Sequence, residues 1–215
     1  MKLVGYMFVC ICLCFVCYAE DTFIPFDGNA KSGDIATYEL SESGNRISIN
    51  LTTPGLNVIN LTEQNQMFQQ ISINGGGIQG DVGAPALPFK GLFLEVPHGP
   101  KVELDVKVEW KELEGSFTVL PQQPPQPEEI GPELKRPQPE FTMNNEIYSR
   151  DIWLPSSPAV IGEDAIIRGR RVLFVELNPV RFNPARGVLE GAWKLSVDLV
   201  LEGDVDAELE ADKVR

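Results

Sequence analysis

Apolar and polar residues alternate with a period of two along much of this chain. Lys101 to Lys111 reads Lys-Val-Glu-Leu-Asp-Val-Lys-Val-Glu-Trp-Lys, with Val102, Leu104, Val106, Val108 and Trp110 on one side and only charged residues on the other. Successive side chains of a strand point to opposite faces, so this run predicts a half-buried strand. Trp193 to Leu201 repeats the pattern, with Trp193, Leu195, Val197, Leu199 and Leu201 alternating with Lys194, Ser196, Asp198 and Val200. Arg46 to Leu51, Met67 to Ile73, Phe89 to Val96 and Arg171 to Leu177 are further strand candidates. No stretch carries a convincing helical period, and the 19 glycines and 17 prolines scattered between the runs disfavour helices longer than a few turns. The expected fold is all-β: an antiparallel β-sandwich, jelly-roll-like, with one face of each sheet wet.

One segment breaks the pattern. Pro121, Pro124, Pro125, Pro127, Pro132, Pro137 and Pro139 punctuate a stretch whose only other apolar residues, glycine aside, are Ile130 and Leu134. Proline donates no ladder hydrogen bond, so this stretch cannot form a sheet interior. It suits a polyproline-type linker between two halves or a long loop projecting from one domain. Strands of similar character on both sides favour the loop. At the end of the chain Glu202, Asp204, Asp206, Glu208, Glu210 and Asp212 occupy alternate positions. The turn glycine and closing glutamate of a calcium loop are missing, so a solvated linker is expected. The expected organisation is a leader over 1–19, N-terminal strands over 20–82, a core over 83–201, and over 202–215 an acidic flexible tail or linker.

The leader reads as a secretory signal. Lys2 supplies a short positive region, Leu3 to Tyr18 is almost wholly apolar, and Cys17 and Ala19 are small residues before Glu20, which places the cut after Ala19. An uncleaved anchor fits less well because the run is short for a membrane span. A lipoprotein signal fits less well because Val16, not a small residue, precedes Cys17. All four cysteines, Cys10, Cys12, Cys14 and Cys17, lie in this stretch. Cleavage would leave a secreted, periplasmic or extracellular domain without a thiol, held by its core and not by disulfides.

Charge narrows the function. With 31 acidic against 18 basic side chains, the formal net charge of −13 repels nucleic acid and anionic membrane surfaces. The single histidine, His98, sits between Pro97 and Gly99 and reads as a turn residue, which leaves Ser-His-Asp and His-metal schemes little to stand on. No metal site, cofactor site or catalytic residue is assigned. Gly75 to Gly80 lacks the Lys-Ser or Lys-Thr of a phosphate cradle and reads as a loop. Asn50-Leu-Thr52 and Asn60-Leu-Thr62 are glycosylation acceptors only in a eukaryotic host.

Two proline-framed segments are more distinctive. Gly83-Ala-Pro85-Ala-Leu87-Pro88 introduces the strand at Phe89, and Asn178-Pro179-Val-Arg-Phe182-Asn183-Pro184 joins the strand ending at Leu177 to one starting near Val188. Asn-Pro favours turn initiation, so the second segment holds Val180 and Phe182 extended between two turns. Between them come Val96-Pro-x-Gly-x-x-Val102, a proline-punctuated loop, Tyr148 followed by Pro155, and Arg168-Gly169. In this order, from Gly83 to Leu201, the set resembles the N-terminal propeptide of the gingipain family of secreted cysteine peptidases.

The resemblance implies a β-sandwich that helps a peptidase fold and keeps it latent by laying a loop across its active-site cleft. A basic loop residue would enter the pocket that selects Arg or Lys. By position and residue type the loop is Leu120 to Glu140 and the candidates are Lys135 and Arg136. Arg136 precedes Pro137, whose nitrogen carries no hydrogen, so a bond held there would resist cleavage. A guanidinium is also the better bidentate partner for a buried carboxylate. A solvated Lys-Arg pair in an acidic loop is the other reading of the same residues. Arg215 would be a processing site, with a peptidase domain either downstream or on another chain. The partner implied is that cognate C25-type cysteine peptidase domain. A stand-alone secreted β-sandwich that binds a protein or glycan is the competing reading.

Overall fold

In a computed structural model, residues 21–125 and 140–212 are described, with side chains to residue 209. Fourteen strands and two short helices follow in chain order: β1 (Asp21–Pro25), β2 (Thr37–Ser43), β3 (Arg46–Thr52), β4 (Gly55–Glu63), β5 (Gln66–Ser72), β6 (Gly77–Gln79), β7 (Leu87–Val96), β8 (Lys101–Val108), β9 (Lys111–Glu112), α1 (Asn145–Tyr148), β10 (Ala159–Ile167), β11 (Arg170–Leu177), β12 (Val180–Asn183), β13 (Val188–Gly191), β14 (Lys194–Glu202) and α2 (Ala207–Asp212). Every strand pair is antiparallel.

Two four-stranded sheets dominate, in the orders β2-β3-β14-β8 and β10-β11-β7-β6. β14 lies between β3 and β8. Leu195, Val197 and Leu199 pair with Leu51, Ile49 and Ile47 on one side and with Val108, Val106 and Leu104 on the other. Paired residues share a face, so the register aligns three apolar rows and buries the central ones completely. Leu92, Leu94 and Val96 of β7 with Leu173, Val175 and Leu177 of β11 add the apolar face of the second sheet to the same core. The strands β2 and β3, from the segment 20–82, thus complete a sheet whose other members come from 83–201.

Strand pattern and structure part at three places. The run from Lys101 to Lys111 divides: β8 ends at Val108, and Lys111 and Glu112 pair instead with Gly191 and Glu190 of β13. At the break, Trp110 stacks on the Arg181 guanidinium, 4.6 Å from its ring centre. The outer face of the second sheet is not uniformly polar. Phe93 is 71% exposed, against Phe174 at 4.9 Å between ring centres, and Phe174 lies over Gly91, where a Cβ would come within 2.7 Å of the ring. Finally, residues 202–209 are partly engaged: Asp206 N donates to the His98 carbonyl at 2.8 Å, and Asp206 Oδ1 accepts from Glu208 N and Leu209 N to cap α2.

Candidate functional site

Gly83 to Leu87, Leu120 to Gln123 and Phe141 to Asn144 meet at one junction. The strand-like pairing begins below it. Leu120 N donates to Gln69 O at 2.8 Å, and Ala86 N donates to Leu120 O at 3.0 Å. Gln122 N donates to Ala84 O, and Gly83 N donates back to Gln122 O, both at 2.8 Å. The chain from Leu120 thus runs antiparallel to the Gly83–Leu87 segment, with Pro85 opposite Pro121. Pro85 and Pro121 donate nothing, so the bonds fall on their neighbours.

Gly83 also holds the returning chain, because Asn144 N donates to its carbonyl at 2.9 Å. Its φ of +85° lies in the left-handed region, which a residue with a Cβ rarely adopts. Gln123 joins the two arms directly. Its Oε1 accepts from Thr142 N at 2.9 Å, and its Nε2 donates to Thr142 O at 3.0 Å and to Pro121 O at 2.9 Å. The side-chain amide takes both backbone groups of Thr142, as a neighbouring strand would.

The junction is held from beneath by Tyr148, whose Oη donates to Val119 O at 2.5 Å. Burial pushes its phenol above the ordinary range, so it keeps the proton it donates. Asn144 caps α1 by accepting from Glu146 N and Ile147 N, and so sets the direction in which Tyr148 enters.

A cleft of about 390 Å³ is lined by Gln79, Ala84, Pro85, Leu87, Leu154 and Pro155 among others, and the second motif bonds to two of these, Gln79 and Leu154. Asn178 is buried, accepting from Gln79 Nε2 at 3.0 Å and donating to Ser157 O at 3.1 Å. Pro179 O receives Ala192 N, Phe182 exchanges backbone bonds with Leu154, and Phe182 is fully buried. Asn183 donates to Asp151 at 2.7 Å and accepts from Arg186 N at 3.2 Å, closing the turn around Pro184. The Asn183 amide and the Arg186 guanidinium, whose Nε donates to Asp151 Oδ1 at 2.9 Å, hold the Asp151 carboxyl below its usual range. Between them, Arg181 lies between Trp110 and Trp153, 4.4 Å from the second ring centre, with Nε on Glu190 at 2.5 Å.

His98 is buried in the bend between β7 and β8, with Nε2 3.0 Å from Gly169 O at the Arg168-Gly169 turn of the β10–β11 hairpin. Both turn residues have positive φ, as a two-residue hairpin turn requires. Among the described residues no group of three His, Cys, Asp or Glu side chains could hold a metal ion. Lys135, Arg136 and Pro137 lie outside the described residues, as do Ala19 and Arg215. Gln123 and Thr142 carry no sequence signal. In a Gln- and Pro-rich stretch, Gln123 looks like composition.

The Propeptide_C25 family model matches residues 29–212. The chain belongs to the C25 propeptide family. In this C25 propeptide Gly83 and Pro85 belong to the junction, Pro85 and Leu87 line the cleft, and Asn178 and Phe182 bond to the cleft residues Gln79 and Leu154. The match also takes in residues 29–82, in keeping with β2 and β3 completing the sheet around β14. As a propeptide domain it is not the catalytic part of its family's precursors. A solved structure bearing on the zymogenic latency of gingipain K from Porphyromonas gingivalis superposes with a TM-score of 0.68 at 19% identity, covering 85% of this chain and 98% of that one. A complex of Porphyromonas gingivalis RgpB pro- and mature domains gives 0.66 at 16% identity, covering 78% and 84%. These likenesses establish the all-β sandwich. No curated protein matches the chain.

Proposed function

We propose that this C25 propeptide is exported behind a signal peptide cleaved after Ala19, assists the folding of a gingipain-like cysteine endopeptidase domain, and holds that domain latent. The observation that carries this reading is the family match over residues 29–212. The two similar prodomain structures, one concerned with zymogenic latency and one a complex of pro- and mature domains, support it. Latency would be exerted by the segment Leu120 to Glu140, with Arg136 in the specificity pocket, Lys135 beside it and Pro137 protecting the following bond. The clamped junction supports this role, because it brings both arms of that segment to one edge of the sandwich. Without a thiol after cleavage at Ala19, the domain would supply no cysteine nucleophile of its own. Cleavage at or near Arg215 would then release the peptidase.

Titrating the purified chain against its cognate C25 peptidase domain tests this. Inhibition is expected in the nanomolar range, and Arg136→Ala should weaken it by about 2–5 kcal/mol, as for a truncated buried charge pair. An absence of inhibition at micromolar concentration would overturn the reading and favour a stand-alone binding module.

A further inference from the structure

We propose that the cleft lined by Gln79, Asp81, Leu87, Leu154, Pro155 and Glu176 binds a basic peptide segment, taking an arginine side chain into the cleft and an apolar neighbour onto the sheet face beside it. The polar side chains of this lining offer acceptors. Asp81 and Glu176 are carboxylates, and neither pairs with a cation among the described residues. Gln79 donates through Nε2 to Asn178 and has its carbonyl oxygen to offer. Glu95, on the same face of the sheet as Glu176, is by contrast matched by Arg170 at 2.8 Å. A cation that brings its own donors therefore complements the cleft, whereas a phosphate or carboxylate ligand would meet like charge. The other walls, Ala84, Pro85, Leu87, Leu154 and Pro155, are apolar and suit the aliphatic stem of such a side chain. Arginine fits better than lysine, because its guanidinium is weakly hydrated and presents a planar fork of donors. The site needs no residue of the segment proposed for latency.

The cleft is already built. The Gln79–Asn178–Ser157 bonds and the backbone exchange between Leu154 and Phe182 hold its walls. At Gly80 a Cβ would come within 2.8 Å of Pro85 O, so these two parts of the wall lie closer than a side chain allows. Walls fixed in advance keep the ordering cost of binding low. The register of β7 extends the site beyond the cleft. Leu87 pairs with Gln79, Gly91 with Glu176 and Phe93 with Phe174, and residues two apart on a strand share a face. The cleft residues and the exposed Phe93 thus lie on one face of the sheet. Phe89, on that face, lies against Gly77, where a Cβ would come within 2.8 Å of its ring, as Phe174 lies over Gly91. Aromatic rings laid over glycines and open to solvent at Phe93 give an apolar surface for the residue next to the arginine.

Nuclear magnetic resonance titration of the full chain with the peptide acetyl-Leu-Arg-Leu-amide tests this. Saturable shifts are expected at the backbone amides of Gly80, Asp81, Leu154 and Glu176. The same peptide with citrulline for arginine keeps the shape and loses the charge, and should bind at least about 10-fold more weakly, in keeping with the loss of charge-assisted hydrogen bonds. The double variant Asp81→Asn, Glu176→Gln should lose affinity for the arginine peptide by a similar factor, while its Tm stays within about 4 °C of wild type. Acetyl-Gly-Arg-Gly-amide should bind about 3-fold more weakly than the leucine peptide, for want of apolar area to bury. An absence of shifts at these amides, equal binding of the citrulline peptide, or undiminished binding by the double variant would overturn the inference. Equal binding of the glycine-flanked peptide would overturn the part assigned to the aromatic face.

Discussion

Asn144 N donates to the carbonyl of Gly83 at 2.9 Å, and a Cβ added to Gly83 would approach that same nitrogen to 3.1 Å. The bond and the bare α-carbon are two sides of one requirement. A methyl on Gly83 would press on the returning arm, and the φ of +85° at this residue is one that side-chain-bearing residues rarely adopt.

Gly83→Ala should therefore destabilise the domain by about 1–3 kcal/mol, from strain in the left-handed region and displacement of Asn144. Urea denaturation measures it. Asn144 also caps α1, so the loss should be accompanied by faster amide exchange at Glu146 and Ile147. A stability within about 0.5 kcal/mol of wild type would contradict this account of the glycine.

Arg181 binds the β12–β13–β9 sheet to the segment carrying Trp153. Its guanidinium lies over Trp110 and Trp153 and pairs with Glu190. Arg181→Lys keeps the charge but loses the planar stacking surface, so it should recover less than half of an Arg181→Ala loss of about 2 kcal/mol. Chemical denaturation of both variants decides between charge and stacking. Equal stability of Arg181→Lys and wild type would show that charge alone suffices.

Phe182 is fully buried beneath the second motif and lies between Leu154 and Leu189 in the backbone pairing. Phe182→Ala should cost about 3–5 kcal/mol, through lost transfer energy and a cavity the rigid turn on either side cannot close. Phe182→Leu should retain more than half of that stability. Thermal unfolding of the two gives the comparison.

Asp198 carries a pH dependence. The Ser48 hydroxyl, at 2.5 Å, and then the Arg46 guanidinium hold its carboxyl below the usual range. A carboxyl depressed in the folded state binds its proton later there than in the unfolded chain. Its stabilisation is thus complete above the unfolded value, about pH 4, and is lost as pH falls through the lower folded value. Asp198→Asn should flatten this part of the acid limb of a stability-against-pH curve while leaving its slope above about pH 6 unchanged. An acid limb identical to wild type would remove Asp198 from the account.

Period-two alternation sufficed to locate β3, β5, β7, β8, β11 and β14, because a half-buried strand records its two environments residue by residue. From those strands the all-β class follows, and from the ordered proline motifs the family. β2 left only a short trace, since every one of its residues is exposed and only Tyr38 and Leu40 extend the face of Leu51 and Ile49 to the edge of the sheet. β10 was obscured by a bulge between Ile161 and Asp164, which breaks the period at its centre. The insertion of β14 between β3 and β8, the stacking of Arg181 between two tryptophans, and the grip of Gln123 on Thr142 were decided only by the tertiary structure. Each joins residues far apart along the chain through hydrogen bonds or ring faces. Such partnerships depend on which segments the core brings together, and they impose no spacing on the residues that make them.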